Sequence, residues 1–207
     1  MRRYKLLWIY FNMWRIIPAF LCTKVSKHQD KIKMDICIWK KKLLPIEHQG
    51  HSDVVSFGMC LFLEKAFRNV MLNRLHRNPI AFAIFRCLFS PLDSLYINMP
   101  PENIGGGLYI QHGFSTIIAA KSIGQCCHIN QQVTIGYNGS ESSIIGNNVT
   151  VTAGAIVIGN VSVGDNSIIG AGTVVTKDVP ERAIVVGSSA RILKVKQNGD
   201  NINRNNN

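Results

Sequence analysis

From about residue 104 onward, branched apolar residues return at every sixth position. Ile145, Val151, Val157, Val163, Ile169 and Val175 form one block. Ile104 and Ile110, then, after one extra residue, Ile117, Ile123, Ile129 and Ile135 form another. Small or β-favouring residues follow four places later, at Val149, Ala155, Val161, Ser167 and Thr173. A short interruption, GYNGSESSI (136–144), separates the blocks. A helix face returns every 3.6 residues and a half-buried strand face every two, so this period is neither. It is the period of a hexapeptide β-helix, in which each unit is a short strand plus a turn and three units close one triangular coil. The branched residue points into the core and the small one fits beneath the turn. Gly146, Gly164 and Gly170 permit turn backbone angles. Twelve units predict about four coils, a prism roughly 20 Å tall at ~4.8 Å per coil.

The first half is different. The chain has 207 residues, with 23 Lys+Arg against 12 Asp+Glu, a surplus of +11. Residues 1–101 carry +10 of that balance, 102–187 carry −2 and 188–207 carry +3. With 46% apolar and 17% charged residues the chain is globular, which excludes a wholly disordered one. No stretch reaches the ~18 uninterrupted apolar residues of a spanning helix. In residues 52–90, Phe57, Leu61, Glu64, Lys65, Arg68 and Leu72 fit helical spacing, with breaks at Pro79 and Pro91. Three parts are therefore expected: a basic helical domain (1–101), a hexapeptide-repeat prism (102–187), and a C-terminal extension (188–207). The extension's Asn-rich end, QNGDNINRNNN (197–207), is expected to be disordered.

Residues 1–22, MRRYKLLWIYFNMWRIIPAFLC, open like a signal peptide, but Asn12 and Arg15 break the apolar run and no small-residue cleavage site follows. Tyr4, Trp8, Phe11 and Trp14 share a helical face, beside Arg2, Arg3, Lys5 and Arg15. Two readings fit: a helix lying in an anionic membrane interface, or one packed on its own domain or on a neighbouring subunit. Nucleic acid is not an expected partner, because no recognition motif accompanies the charge. The six cysteines show no zinc spacing and read as reduced, buried thiols of a cytoplasmic protein, peripheral at the inner face of the membrane if the first helix docks there.

The stretches IGGGLYIQHG (104–113), INQQVTIG (129–136), VTAGAIVIGNVSVGDNSIIGAGTVVTKDVP (151–180) and VVGSSARILK (185–194) resemble the hexapeptide-repeat acyltransferases, the serine acetyltransferase branch in particular. FRNVMLNRL (67–75) is similar to the last helices of that branch's N-terminal domain. The resemblance implies a left-handed parallel β-helix, a homotrimer with active sites at subunit interfaces, and acetyl-CoA as the donor. It implies that His112 is the general base that takes the acceptor's hydroxyl proton. His128 matches no catalytic position of the family.

Where the family's base follows an aspartate, Gln111 stands here, expected to orient His112. The second histidine of the serine-specific enzymes is missing from the aligned ESSII (141–145). A further family aspartate, about fifteen residues before the base, falls near Ile97 or Asn98. Glu102 and Glu141 are the carboxylates the sequence offers as substitutes. A serine site must pair an ammonium and a carboxylate. These losses therefore favour a neutral acceptor, a sugar hydroxyl in surface polysaccharide biosynthesis. L-serine, as in cysteine biosynthesis, is the alternative acceptor, and a non-catalytic structural β-helix is a remote one. For the donor, the resemblance places Ala153 and Ala171 under the pantetheine arm and Lys177 and Arg191 near the nucleotide phosphates. It places Tyr137, Asn138 and Glu141, in the interruption loop, at the acceptor. No metal is expected. A metal-dependent carbonic anhydrase on the same prism needs three histidines across an interface, and the repeats hold only His112 and His128.

Overall fold

The structure, a computed structural model, describes residues 3–44 and 50–195, with side chains from residue 7 onward. The tail expected to be disordered (197–207) lies outside the described residues, as do the side chains of Arg2, Arg3, Tyr4 and Lys5. Among the described residues the first half holds six α-helices: α1 (Arg3–Phe11), α2 (Met13–Lys24), α3 (Gln29–Leu43), α4 (Asp53–Leu63), α5 (Lys65–Leu75) and α6 (Pro79–Leu88). Their shared core is aromatic. Trp39, Phe57, Phe67, Phe85 and Phe89 are fully buried, and the Trp39 ring stacks at a tilt on Phe67. Helix α6 begins as its sequence dictates: Asn78 caps it by accepting from the Ala81 backbone N–H (3.1 Å), and Pro79 occupies the first turn, where no N–H is needed. Between α4 and α5 the chain is extended at a single residue, Glu64 (φ −140°, ψ 113°).

The second half is a three-faced parallel prism. One face stacks β1 (Leu95–Ile97), β3 (Thr116–Ile118), β6 (Thr134–Asn138), β10 (Ile156–Ile158) and β13 (Val174–Val175). A second stacks β4 (Ser122–Ile123), β8 (Ile144–Ile145) and β11 (Ser162–Val163), extended at its ends by the bridges Ile104–Ile123 and Val163–Val179. The third stacks β2 (Tyr109–Ile110), β5 (His128–Ile129), β9 (Thr150–Val151), β12 (Ile168–Ile169) and β14 (Ala183–Val186), closed by β15 (Arg191–Val195), which runs antiparallel to β14. The hairpin partner of β6 is β7 (Glu141–Ser142).

Each face has five layers, one more than the expected four. Strand β1, before the first recognisable repeat, pairs with β3, and Val179 and β14 continue the stack after the last one. The periodic residues are the core: Ile110, Ile129, Ile135, Val157, Ile169 and Val175 are fully buried. So are the small partners Val149, Ala155, Ser167 and Thr173. One position is corrected. Ile117 is 44% exposed, and Ile118 is the residue that points inward, paired with Ile135. The turn after β2 is longer than a repeat turn and shifts the register by one residue, which exchanges the two faces of a strand.

The glycines after the apolar positions are needed for a different reason from the one expected. At Gly124 a Cβ would lie 2.6 Å from the backbone of Gly146 in the next coil, so close stacking requires glycine there. Left-handed turn angles fall instead on residues such as Asn148 (φ 54°) and Gly159 (φ 91°). The thiols also differ from expectation: all six cysteines are free, but Cys37 and Cys87 are exposed.

A buried ion pair joins the two halves. Arg74 of α5 donates from Nε to Asp35 Oδ2 of α3 at 2.9 Å, and both side chains are fully buried. Arg74 also donates to the carbonyls of Ile104 (2.9 Å) and Gly105 (2.6 Å), and Asp35 Oδ1 accepts from the backbone N–H groups of Gly107 (2.7 Å) and Leu108 (3.0 Å). Burial pushes the Asp35 carboxyl up, while the guanidinium and these N–H groups pull it down. The pair thereby anchors residues 104–108, the chain immediately before His112, onto the helices.

Candidate active site

The edge between the third and first faces carries most of the predicted site. His112 lies in the turn after β2, with left-handed backbone (φ 63°) followed by Gly113 (φ 69°). The turns stack layer on layer. The Gln111 N–H donates to the Ile129 carbonyl (2.8 Å), Gly154 to Gln131 (3.1 Å) and Gly172 to Ala153 (2.9 Å). His112, Gln131, Ala153 and Ala171 therefore succeed one another along one edge of the prism. At ~4.8 Å per layer, Ala171 stands about 14 Å above the His112 layer. The edge beside the alanines is open. A Cβ on Gly172 would meet nothing within 4 Å, and one on Gly154 would meet only Gly172, at 3.9 Å. Arg191 sits at the top of the same stack, where it pairs with Val186 in the fifth layer.

Glu64 faces the imidazole. Its Oε2 is 3.8 Å from His112 Nδ1, with side-chain exposures of 17% for Glu64 and 56% for His112. The extended residue between α4 and α5 makes this possible, because it brings the start of α5 against the turn. Ala66 packs so closely on Gly113 that a Cβ there would come within 3.1 Å of the Ala66 Cβ. A carboxylate at Nδ1 favours the tautomer that leaves Nε2 free to take a proton, and it stabilises the imidazolium that results.

The sequence missed Glu64, and the orienting role expected of Gln111 is corrected. Gln111 Oε1 accepts from His128 Nε2 at 3.1 Å, and the His128 ring also packs on Tyr109. Glu102, a suggested substitute carboxylate, is engaged elsewhere: it accepts from Arg77 Nε at 2.9 Å, a bond that pulls its carboxyl down to about 2. Glu141, the other, is exposed in the β6–β7 hairpin. The only weak sequence signal for Glu64 was its place in a helical pattern next to Lys65.

The remaining predicted residues occupy a different edge, between the first and second faces. Tyr137 and Asn138 pair with Ser142 and Glu141 in the hairpin, and Tyr137 Oη accepts from Asn98 Nδ2 (3.1 Å). A Cβ on Gly159, in the next layer, would lie 3.5 Å from the Asn138 Cβ. Lys177 is exposed in the turn that follows β13 on the same edge. Within one chain these residues do not meet His112.

The family described as bacterial transferase hexapeptide (six repeats) matches residues 142–177. A serine acetyltransferase of Synechococcus elongatus is 42% identical over 99 residues, 45% of this chain and 41% of that protein. Over its repeat half the chain is similar to serine acetyltransferases. The solved structure of soybean serine acetyltransferase complexed with serine is 27% identical, with a TM-score of 0.56 over 77% of this chain and 67% of that one. A serine acetyltransferase in complex with CoA shares the fold at 24% identity, with a TM-score of 0.56 over 80% of this chain and 72% of that one. The chain spans about half the length of the curated relatives it matches. The sequence matches cover about half of this chain, whereas the structural likeness extends over three quarters of it and so takes in part of the helical half.

Proposed function

We propose that the chain is an acetyl-CoA-dependent O-acetyltransferase with L-serine as acceptor. The observation that carries this reading is the edge itself, with His112 at its foot, Glu64 behind the imidazole, and Ala153 and Ala171 along its open side. Acetyl-CoA supplies an activated thioester. His112 Nε2 takes the proton of the acceptor hydroxyl as its oxygen attacks the thioester carbonyl. The C–S bond then breaks, and the CoA thiolate recovers that proton from the imidazolium. Acetylated acceptor and free CoA thiol are the products, so charge and protons balance. Glu64 is a positioning residue that holds the imidazole and balances its transient charge. Arg191 pairs with the nucleotide phosphates.

The relatives are serine acetyltransferases, and this favours L-serine over the sugar hydroxyl that the missing polar groups suggested. The sugar reading retains two specific observations: the family's aspartate falls near Ile97 or Asn98, neither a carboxylate, and ESSII lacks the histidine. A homotrimer gives the second edge a use. Side-by-side prisms would bring Lys177 and the Tyr137–Glu141 hairpin of one copy to the His112 edge of the next. The test is thiol release from acetyl-CoA with a panel of acceptors. Release that depends on L-serine supports the proposal. Release only with nucleotide- or lipid-linked sugars overturns the acceptor, and no release with any acceptor overturns the enzyme.

A further inference from the structure

Helices α1 and α2 leave a broad apolar face uncovered. Leu7, Trp8 and Phe11 on α1 and Trp14, Ile17 and Leu21 on α2 are all exposed, Phe11 to 74% and Trp14 to 67%. On α2 the exposed residues recur at three- and four-residue spacing, one stripe of the helix, while Ile16 and Ala19 on its other side are fully buried. Helix α6, packed against α2, also exposes Ile80 and Ile84. At ~150–250 Å² per fully covered aromatic side chain, this face amounts to something on the order of 800 Å². That exceeds the largest apolar patch of an ordinary monomer, ~300–600 Å².

Its charge decides the occupant. No acidic residue precedes Asp30, whereas Arg2, Arg3, Lys5, Arg15, Lys24 and Lys27 are basic. Arg15 is partly withdrawn, 4.8 Å over the Phe89 ring and bonded to the Leu88 carbonyl. The sequence that bears the face therefore carries one sign of charge as far as Asp30. A second copy meeting this face two-fold would set like charges against each other, whereas an anionic surface neutralises them. Tryptophan and tyrosine are the side chains that settle at headgroup level, and no helix among the described residues is long and apolar enough to cross a membrane. We propose that α1 and α2 seat the protein on the surface of an anionic lipid bilayer, with Trp8, Phe11 and Trp14 in the interface. The catalytic reading is independent of this surface.

The chain provides its own probe. It has three tryptophans; Trp39 is fully buried, so Trp8 and Trp14 report on the face. The full chain is mixed with vesicles of phosphatidylcholine alone, or of equal parts phosphatidylcholine and phosphatidylglycerol. Expected are co-sedimentation at least about tenfold stronger with the anionic vesicles, weakened by salt, and a blue-shifted tryptophan emission. The variant Trp8→Ala/Phe11→Ala/Trp14→Ala should lose both, while the emission of Trp39 and the circular dichroism show an intact fold. Equal binding to both vesicles, or none, overturns the proposal. So does a wild-type chain indifferent to vesicles whose triple variant sediments as a smaller assembly, which would make the face a contact between copies.

Discussion

Replacing Glu64 by glutamine removes the charge that faces His112 Nδ1 at 3.8 Å and keeps the side chain's shape. Two unit charges at that separation interact by about 1 kcal/mol at the dielectric of water and about 4 kcal/mol at an effective value of 20. His112 is half exposed and Glu64 largely covered, so about 1–3 kcal/mol is the appropriate range. If that stabilisation acts on the imidazolium formed in the transition state, kcat falls roughly 5- to 150-fold. KM for acetyl-CoA should stay unchanged, because the edge along Ala153 and Ala171 is untouched. Glu64→Asp, which withdraws the charge by one methylene, should fall between glutamine and wild type. The assay is steady-state thiol release, with circular dichroism as the check on folding. A folded Glu64→Gln protein with undiminished kcat would refute the positioning role.

Three further outcomes follow from the packing. Ala171→Phe should raise KM for acetyl-CoA at least about tenfold with little effect on stability, since position 171 is exposed on the open edge; an unchanged KM would remove that edge from the donor site. Asp35→Ala leaves the Arg74 guanidinium buried without its carboxylate and should cost about 3–5 kcal/mol in urea unfolding, whereas a loss below about 1 kcal/mol would contradict the anchoring role. In the native protein, iodoacetamide should label the exposed Cys37 and Cys87 and spare Cys60 and Cys127, whose thiols burial pushes up to about 12; mass spectrometry after digestion reads this directly.

Much of the prism was legible because its spacing is a consequence of its geometry. One inward residue per strand and three strands per coil leave a period that neither a helix nor a flat sheet can produce. Legibility failed where the period breaks. The long turn after β2 hid the shift that makes Ile118, not Ile117, the core residue. Strand β1 has no glycine or repeat neighbour to mark it, so the third side of the first layer left no signal. At the site, the base could be located from its motif, but its carboxylate could not. Glu64 lies forty-eight positions from His112 and is brought there by the single extended residue between α4 and α5 and by the Ala66–Gly113 contact, neither of which leaves a pattern. Gln111, adjacent in sequence, points to His128 because side chains two apart share a face of the strand, and Tyr109, two residues before Gln111, pairs with His128 in the next layer.

The central claim, that His112 is the base of an acetyl transfer along this edge, is tested most directly by thiol release from His112→Ala with acetyl-CoA and L-serine. Its turn is exposed, so the variant should keep the wild-type circular dichroism and thermal midpoint. A loss of about 10²–10⁴-fold in kcat is the expected result. A folded His112→Ala protein that releases thiol at the wild-type rate would contradict it.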